Sequence, residues 1–525
     1  MKLRFADRIE IITEREEVSF DSAPCKMNDV SLSLEICEKG MKVFLTADDT
    51  PVKYIRLRWV FDADEKRNEP VRILGDEWER GYGTMEWRGI VTERNMPWVC
   101  AVSNGSDSER CVQGRFTECF GVAVRPAGFC MWRYDTKGVT LDIDVRNGGS
   151  GVLLNGRILE VCDIRFGEYR DMSAFNALRD YYRSLCSDPI FPSSPLYGSN
   201  NWYYAYGSSS HQNILTDAEF VAARCKIQKN APFMVIDDGW QPNSCDGPWR
   251  CGNERFPDMK ELADEIKKRG VRPGIWVRYL HDECRETPGV TDDMRLSRDD
   301  FYLDPTHPKV RELIIRDTKR FTEEWGYELI KHDFSTFDLF GTWGSQTKGF
   351  LAKDGWHFYD KSKTSAEITV ELYRTIKEAA GDAIILGCNV IGHLAAGLVE
   401  MNRTGDDTSG REWERTRKMG VNTLAFRMLH HKTFYDADAD CVGVTGAFPW
   451  RINREWLRAL SVSGTPLFVS YKPDIYDEKA FSDLEEAFIR AEKQEDELIP
   501  LDWMENTCPE KWLLNGKEIS FNWIP

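Results

Sequence analysis

The stretch YELIKHDF, residues 327–334, decides the fold of this chain. A short apolar run ends there in charged side chains, and the amphipathic segment VRELIIRDTKRFTEEWG, residues 310–326, comes immediately before it. Short apolar runs that alternate with helical segments are typical of parallel strands joined by helices. The stretch therefore predicts one helix–strand unit, and the surrounding sequence shows how often that unit recurs.

The same rhythm occurs eight times over roughly 300 residues. The apolar runs are SNNWYYAYG (199–207), FMVIDDGW (233–240), RPGIWVRY (272–279), YELIKHDF, AIILGCNV (383–390), GLVEMNRTG (397–405), KTFYDAD (432–438) and TPLFVSY (465–471). The helical segments between them include DAEFVAARCKIQ (217–228), MKELADEIKKRG (259–270), AEITVELYRTIKEAAG (366–381), EWERTRKMGVNTLAFRML (412–429) and INREWLRALSVSG (452–464). Eight such units predict a (β/α)8 TIM barrel over 199–495. The alternative, a doubly wound open sheet, usually carries a Gly-rich phosphate turn after its first strand, and this sequence has none there.

The sequence before the predicted barrel has a different pattern of apolar residues. Residues 1–185 contain extended runs separated by turns, which predict an antiparallel β-sandwich. These runs are MKVFLTAD (41–48), YIRLRWVF (54–61), WVCAVSNG (98–105), FGVAVRPAG (120–128), VTLDIDVRNGG (139–149) and GVLLNGRI (151–158). Residues 186–198 are predicted as a linker, and 496–525 as a short C-terminal β extension. The fold class is thus multi-domain, α/β plus β.

Composition narrows the class of function. The 525-residue chain has a formal net charge of −17, which disfavours nucleic acid and anionic membranes as partners. Its 15 cysteines are scattered without a CxxC pair, as expected of small core residues in a reducing compartment. With no signal-peptide pattern and no apolar run of membrane-spanning length, we expect a cytoplasmic protein, with a homo-oligomer left open.

Charged side chains gather where the predicted strands end, which in a barrel is the catalytic face. Asp237 and Asp238 follow the second strand, and their mutual repulsion is tolerable if each binds hydroxyl groups. On the fourth strand, alternation places Lys331 and Asp333 on one face and His332 on the other. We expect the Lys331 ammonium to lower the pKa of Asp333 and keep it ionised, as a nucleophile requires. The competing interpretations are helix caps and structural ion pairs.

The fifth and sixth strands supply further candidates. Cys388 and Asn389 end the fifth strand, and Arg403 with Asp406 and Asp407 ends the sixth. A carboxylate from the sixth strand can meet Asp333 across the barrel mouth, and glycoside hydrolysis needs such a pair. Spacing alone does not choose between Asp406 and Asp407.

A metal site is disfavoured. No HxH lies on an early strand and no HExxH occurs in the chain, while His430-His431 falls late, in a predicted helix-to-strand turn.

Five segments, in order, resemble the melibiase-like glycoside hydrolases of families 27 and 36, which form clan D. They are FMVIDDGWQ (233–241), YLDPTHPKVRE (302–312), YELIKHDF, ILGCNVIGHLAAGLVEMNRTGDD (385–407) and SGTPLFVS (463–470). The resemblance covers about residues 199–475 and implies an α-galactosidase that acts by retaining double displacement on oligosaccharides or glycoconjugates, without metal or cofactor.

The resemblance also implies roles for individual residues. Asp333 is the nucleophile, and Asp407 is the acid/base because Arg403 precedes it by four residues. The implied sugar-binding residues are Asp237, Asp238, Lys331, Arg403, Cys388, Asn389, Trp202 on the first strand and Trp276 on the third. An acid/base needs a raised pKa, so the resemblance predicts one for Asp407.

Some features depart from the family pattern. Arg278 stands where an acidic residue is usual, and His332 replaces an aromatic residue. The N-terminal segment GDEWERGYG, residues 75–83, is charged and Gly-rich, as a loop over the barrel mouth would be, and we hypothesise that its Trp78 lines the pocket.

The substrate is therefore open among α-galactosides, α-N-acetylgalactosaminides and β-L-arabinopyranosides. A galactosyl transglycosidase, a catalytically inactive carbohydrate-binding protein and a metal-dependent hydrolase are the alternative functions.

Overall fold

The computed structural model describes residues 4–62, 70–105, 112–225, 229–475 and 477–524. Within these ranges the N-terminal region consists of strands followed by one helix. The strands are β1 (Arg8–Thr13), β2 (Glu17–Phe20), β3 (Cys25–Met27), β4 (Val30–Cys37), β5 (Gly40–Thr46), β6 (Val52–Val60), β7 (Arg72–Gly75), β8 (Met96–Pro97), β9 (Val99–Ser103), β10 (Phe116–Val122), β11 (Phe129–Asp135), β12 (Gly138–Asp144) and β13 (Ile158–Arg170), and the helix is α1 (Ala174–Leu185).

These strands form two antiparallel sheets, as predicted. One has the order β2-β1-β6-β12-β11-β8 and the other the order β3-β4-β5-β13-β10-β9-β7. Aromatic side chains join them: the Trp59 and Phe166 ring centroids lie 5.6 Å apart, and those of Phe120 and Trp132 6.1 Å. The prediction of a strand at GVLLNGRI is wrong, because Val152 makes only an isolated bridge and β13 begins at Ile158.

The central region alternates strands with helices. Its strands are β14 (Tyr197–Asn200), β15 (Phe233–Ile236), β16 (Arg272–Val277), β17 (Arg295–Leu296), β18 (Asp299–Leu303), β19 (Leu329–His332), β20 (Ile384–Gly387), β21 (Met401–Arg403), β22 (Asp436–Asp438), β23 (Cys441–Val444) and β24 (Leu467–Tyr471). Its helices are α2 (Trp202–Ala205), α3 (His211–Arg224), α4 (Met259–Lys268), α5 (Pro308–Lys319), α6 (Ser335–Phe340), α7 (Ser365–Ala380), α8 (Gly392–Ala395), α9 (Trp413–Arg415), α10 (Asn422–Arg427), α11 (Trp450–Ser461) and α12 (Glu478–Ala491). Short helical turns of other pitch occur at Asp292–Met294, Arg320–Glu324, Gly344–Gln346 and Thr416–Val421.

Nine of these strands form one parallel sheet in the order β22-β21-β20-β19-β16-β15-β14-β24-β23. Seven of the eight predicted runs contain one of its strands, and the first run overlaps β14 only at Ser199 and Asn200. The ninth strand, β23, was not predicted, and only Ala439 and Asp440 separate it from β22. The strands at the two ends of this order are therefore consecutive in the chain.

Two details of the predicted alternation change. The first run ends as a strand at Asn200, so Trp202 lies on the one-turn helix α2 and not on the strand. Helix α12 was not predicted, and the last residues of the predicted helix DAEFVAARCKIQ, 226–228, lie outside the described residues.

Local sequence accounts for where helices start. Helix α7 begins with a capping box: the Thr364 hydroxyl accepts from the Glu367 backbone N–H, and the Glu367 carboxylate accepts from the Thr364 backbone N–H. Helix α4 begins after Asp258, whose carboxylate accepts from the Glu261 backbone N–H. Such caps fix where these two helices begin.

After α12, a three-stranded antiparallel sheet consists of β25 (Leu498–Pro500), β26 (Lys511–Leu514) and β27 (Lys517–Ser520). It matches the predicted C-terminal β extension. Among the described residues, no helix has the length and apolarity needed to cross a bilayer.

Candidate active site

A cavity of about 150 Å³ opens where the parallel strands end. Typical small-molecule pockets measure ~300–1,000 Å³, so this one has room for about a single sugar ring. Its lining consists of Arg80, Trp202, Asp237, Asp238, Cys245, Trp276, Lys331, Asp333, Phe334, Trp343, Cys388, Asn389, Arg403 and Asp407. The structure thus brings together every site residue predicted from the sequence except Trp78.

Asp333 follows β19 and is 6% exposed. Its carboxylate accepts from Trp276 Nε1 at 2.8 Å, from Asn389 Nδ2 at 2.6 Å and from the Phe334 backbone N–H at 2.7 Å. Phe334 has a left-handed backbone with φ 65°, a strained conformation that often occurs at functional sites. Three N–H donors therefore fix the orientation of the Asp333 carboxylate.

Asp237 pairs with the lysine that was expected beside Asp333. Lys331 Nζ lies 2.7 Å from Asp237 Oδ2, and Asn200 Nδ2 donates to the same oxygen at 2.7 Å. Burial alone would lower the pKa of Lys331, but the Asp237 carboxylate raises it well above its usual value. Lys331 and Asp333 both line the cavity, as strand alternation predicted, but the ammonium makes its ion pair with Asp237.

Asp238 is held by the loop that follows β15. Its carboxylate accepts from Gln241 Nε2 at 2.6 Å, from the Cys245 backbone N–H at 2.8 Å and from Ser244 Oγ at 3.1 Å. The two adjacent carboxylates thus have separate partners, which offsets their mutual repulsion.

Asp407 lies at the mouth of the cavity, with 32% of its side chain exposed. Arg403 Nη2 donates to Asp407 Oδ1 at 2.9 Å, while Arg80 Nη1 lies 3.7 Å from that oxygen. Burial alone would raise the pKa of Asp407, but Arg403 and Arg80 outweigh it and lower the pKa to about 2. The prediction of a raised pKa for Asp407 is therefore wrong.

Asp406 has a different environment from its neighbour. It is 9% exposed, and its carboxylate lies 3.0 Å from Arg80 Nη2 and 3.2 Å from Arg415 Nη2. Asp407 lines the cavity and Asp406 does not, so the two carboxylates that spacing left equivalent differ in their access to a ligand.

The end of β20 contributes a thiol and an amide. Burial raises the pKa of Cys388 well above its usual value, so this thiol stays protonated and is a poor nucleophile. Asn389 Nδ2 donates to Asp333, while its buried Oδ1 has no protein partner. That oxygen is available to accept from a ligand hydroxyl.

The two departures from the family pattern lie behind the cavity wall. Arg278 was considered as a residue beside the sugar, but it is buried against Asp338 at 2.6 Å and lies outside the cavity lining. His332 faces away from the cavity, as strand alternation predicted, and its ring lies between Tyr279 and Tyr373, with centroids at 5.6 and 5.8 Å. Burial lowers the pKa of His332 to about 4, so the ring is neutral at pH 7.

Trp78 is the site prediction that the structure corrects. Its ring packs in the core against Trp98 and Phe129, with centroids at 5.0 and 5.5 Å, and Nε1 donates to the Gly349 carbonyl. This aromatic cluster and the hydrogen bond to Gly349 hold the indole in the core, away from the cavity lining.

Arg80, two residues further along, reaches the cavity instead. The backbone beside it is fixed to the sixth-strand loop: Gly81 N donates to the Thr404 carbonyl at 2.7 Å, and Asp406 N donates to the Gly81 carbonyl at 3.1 Å. The segment predicted to cover the barrel mouth does reach it, through a different side chain.

Sequence reasoning missed four lining residues: Arg80, Cys245, Phe334 and Trp343. Phe334 directly follows the predicted nucleophile, and Cys245 lies in the loop after Asp238, so both were within reach of the strand-end argument. Trp343 stacks on Phe337 at 4.8 Å within a long loop after β19, and no local pattern marked it.

No protein-family model matches the sequence. The structure is similar to solved α-galactosidases. The α-galactosidase of Thermus thermophilus in complex with p-nitrophenyl α-D-galactopyranoside superposes with a TM-score of 0.61 at 17% identity, covering 94% of this chain and 96% of that one. A variant of the GH36 α-galactosidase AgaA from Geobacillus stearothermophilus in complex with raffinose has a TM-score of 0.61 at 13% identity, covering 98% of this chain and 77% of that one. A second AgaA variant, in complex with stachyose, has a TM-score of 0.60 at 14% identity, over 98% and 77% of the two chains.

Proposed function

We propose that this chain, which has the fold of the GH36 α-galactosidases, is a retaining glycoside hydrolase that removes terminal α-linked galactose from oligosaccharides or glycoconjugates. One observation supports this most strongly: Asp333 and Asp407, from the fourth and sixth predicted strands, line the same small cavity. Paired carboxyl groups at one anomeric centre are what glycoside hydrolysis requires.

In the first step, a carboxylate oxygen of Asp333 attacks the anomeric carbon of the sugar. The bond from that carbon to the leaving oxygen breaks, and the proton of Asp407 goes to the leaving oxygen. The product is an ester between the sugar and Asp333, with inverted configuration. Trp276 and Asn389, which hold the Asp333 carboxylate, keep the attacking oxygen in place.

In the second step, Asp407 acts as a base. Its carboxylate takes a proton from water, the water oxygen attacks the anomeric carbon, and the ester bond to Asp333 breaks. Two inversions return the α configuration, and Asp407 ends protonated for the next cycle.

The low pKa of Asp407 has a place in this cycle. A bound sugar excludes water from the mouth and thereby strengthens the repulsion between Asp407 and the Asp333 carboxylate in the same cavity, so it raises the pKa of Asp407. When Asp333 becomes an ester its charge disappears, and the arginines again favour the carboxylate form that the second step needs.

Asp237, Asp238 and Lys331 give the cavity its affinity for a sugar. Carboxylates at one wall accept hydrogen bonds from hydroxyl groups, and the family resemblance matches them to O4 and O6 of galactose. Trp202 and Trp276 supply apolar walls for the C–H faces of the ring.

Proton NMR during turnover tests this function. The wild-type protein is given p-nitrophenyl α-galactoside, with the β-anomer as control, and the first galactose released is followed. The proposal predicts α-galactose first and no reaction with the β-anomer. First release of β-galactose, or no turnover of the α-anomer, contradicts it.

We also propose that the parallel sheet closes into a (β/α)8 barrel. Its end strands β22 and β23 are consecutive, with two residues between them, and together they would form the seventh of the eight barrel strands. The division into 1–185, 186–198, 199–495 and 496–525 remains a prediction.

A further inference from the structure

A buried carboxylate lies behind the proposed acid/base, in the break between β22 and β23. Asp440 is 4% exposed and has a left-handed backbone with φ 74°. Strained backbone at a buried charged residue often marks a functional site, and the contacts of the side chain show what it serves. The cavity lining does not include Asp440, so any effect that it has on the reaction must pass through other residues.

Asp440 shares the guanidinium group of Arg403 with Asp407. Arg403 Nη2 lies 2.8 Å from Asp440 Oδ2 and 2.9 Å from Asp407 Oδ1, so its two N–H bonds can serve one carboxylate each. Burial alone would lower the pKa of Arg403, but Asp440 is the largest of the groups that raise it well above its usual value. Arg403 is therefore charged, and Asp440 offsets part of the charge that acts on Asp407.

The same oxygen of Asp440 also holds the backbone beside the acid/base. Oδ2 accepts from the Thr408 backbone N–H at 2.7 Å and from the Tyr203 hydroxyl group. Thr408 directly follows Asp407 in the chain. The Asp440 backbone N–H in turn donates to Asp438 Oδ1 at 3.0 Å, which fixes the turn that carries the carboxylate. One side chain thus holds both the arginine of Asp407 and the peptide next to it.

We propose that Asp440 is a positioning residue for the acid/base: it orients Arg403 and the Thr408 peptide, and it competes with Asp407 for the charge of Arg403. A nearby negative charge opposes the ionisation of a carboxyl group, so Asp440 acts on Asp407 in the opposite sense to Arg80. With Asp440 in place, the protonated acid that the first step needs persists to higher pH. This inference rests on the proposed function.

Other titratable groups also face the two carboxylates. They come from several elements: Arg80 of the N-terminal region, Asp333 in the same cavity, Arg415 on α9, Tyr203 on α2, and Asp438 and Cys441 on either side of Asp440. A substitution at position 440 leaves all of them in the protein, so a change in the pH profile reports the charge at that position.

Asp440→Asn removes the charge, keeps the size of the side chain and tolerates the left-handed backbone. Because Arg403 then acts on Asp407 alone, the pKa of Asp407 falls. The alkaline limb of kcat for raffinose, which reports the enzyme–substrate complex, is expected to move to lower pH by about one pH unit. The pH profile for α-galactosyl fluoride, whose leaving group needs no proton, is expected to show no such shift.

Two further variants complete the experiment. Asp440→Gly removes the same charge and adopts the left-handed backbone without strain, so it replaces Asp440→Asn if that variant fails to fold, with the same expected shift. Asp144→Asn is the matched control, because Asp144 is also a buried aspartate, 2.7 Å from Arg146, but belongs to the N-terminal sheets and lies outside the cavity lining. Its limb for raffinose is expected to coincide with that of the wild type.

A folded charge-free variant whose limb for raffinose stays in place, or moves to higher pH, overturns the inference and leaves the proposed function standing. An equal shift for raffinose and for the fluoride also overturns it, because the effect would then not pass through the acid. A wild-type protein that cleaves neither substrate contradicts the proposed function itself, and the inference with it.

Discussion

At the scale of single residues, Asp333 and Asp407 have different environments, which bear on the roles proposed for them. The Asp333 carboxylate is held by three N–H donors deep in the cavity, while Asp407 sits among guanidinium groups at its mouth. The first environment suits a nucleophile, and the second favours the carboxylate form in which Asp407 would act as the base of the second step.

Asp333→Asn is expected to lower kcat at least ~10³-fold, because an amide cannot form the covalent ester. Steady-state turnover of p-nitrophenyl α-galactoside by purified variant, with its melting temperature compared to wild type, provides the measurement. Turnover within tenfold of wild type by a folded variant would remove Asp333 from the mechanism.

Asp407→Asn should slow the cleavage of a substrate with a poor leaving group, such as raffinose, far more than that of one with a good leaving group, such as p-nitrophenyl α-galactoside. The expected loss on raffinose is about 10²-fold or more, the usual size of general-acid catalysis. Added azide should restore turnover of the p-nitrophenyl substrate and yield α-galactosyl azide, because azide needs no base.

Asp406→Asn is the matched control, since Asp406 faces arginines and not the cavity. We expect it to retain most of the raffinose activity. A larger loss of raffinose activity for Asp406→Asn than for Asp407→Asn would identify Asp406, and not Asp407, as the acid/base.

At the scale of elements, the segment 75–83 joins the N-terminal sheets to the sixth-strand loop. Arg80 brings a positive charge 3.7 Å from Asp407, and this charge favours the ionised carboxylate. Arg80→Met should therefore raise the pKa of Asp407, so the protonated acid persists to higher pH. The alkaline limb of kcat/KM for raffinose is expected to move to higher pH, while Arg80→Lys keeps the limb close to wild type. A shift to lower pH would contradict this role.

The same segment is anchored by a buried charge. Asp76 lies 2.9 Å from Arg427 and 3.1 Å from His430, all within the protein interior. Burial alone would raise the pKa of Asp76, but Arg427 and His430 lower it well below its usual value.

Asp76→Asn is expected to lower the free energy of unfolding by ~3 kcal/mol at pH 7, because it leaves Arg427 buried without its counter-ion. A depressed carboxylate pKa stabilises the fold above the unfolded-state value of ~3.9, and this stabilisation is lost as pH falls. The difference in the free energy of unfolding between variant and wild type, measured by urea unfolding, should thus decrease below about pH 4. Asp474→Asn, which removes an exposed pair with Lys472, is the control and should leave the free energy of unfolding close to that of the wild type. Equal effects of the two substitutions would mean that the Asp76 cluster does not anchor the segment.

Elements with a strong local pattern were predictable. Each of the eight apolar runs contains or overlaps a strand because parallel strands are buried on both faces and need continuous apolar sequence. β23 was missed because Ala439 and Asp440 interrupt its run, and GVLLNGRI was misassigned because apolar residues around a turn imitate a strand.

At the scale of the whole molecule, the cavity-lining residues at strand ends could be predicted from the sequence, whereas those that belong to other segments could not. Arg80 lies more than 300 residues before Asp407, and no local periodicity reports that the two approach. The pKa of Asp407 was mispredicted because two guanidinium groups outweigh its burial: Arg403, which the sequence already placed beside it, and Arg80, which the sequence did not.

The most direct test of the account is to trap the covalent intermediate. The wild-type protein is treated with 5-fluoro-α-galactosyl fluoride, whose glycosyl ester hydrolyses slowly, and the product is analysed by intact mass and peptide mapping. The proposed mechanism predicts one sugar per chain, attached to Asp333 in the peptide containing YELIKHDF. A label on any other residue, or an unlabelled protein that still hydrolyses α-galactosides, would contradict it.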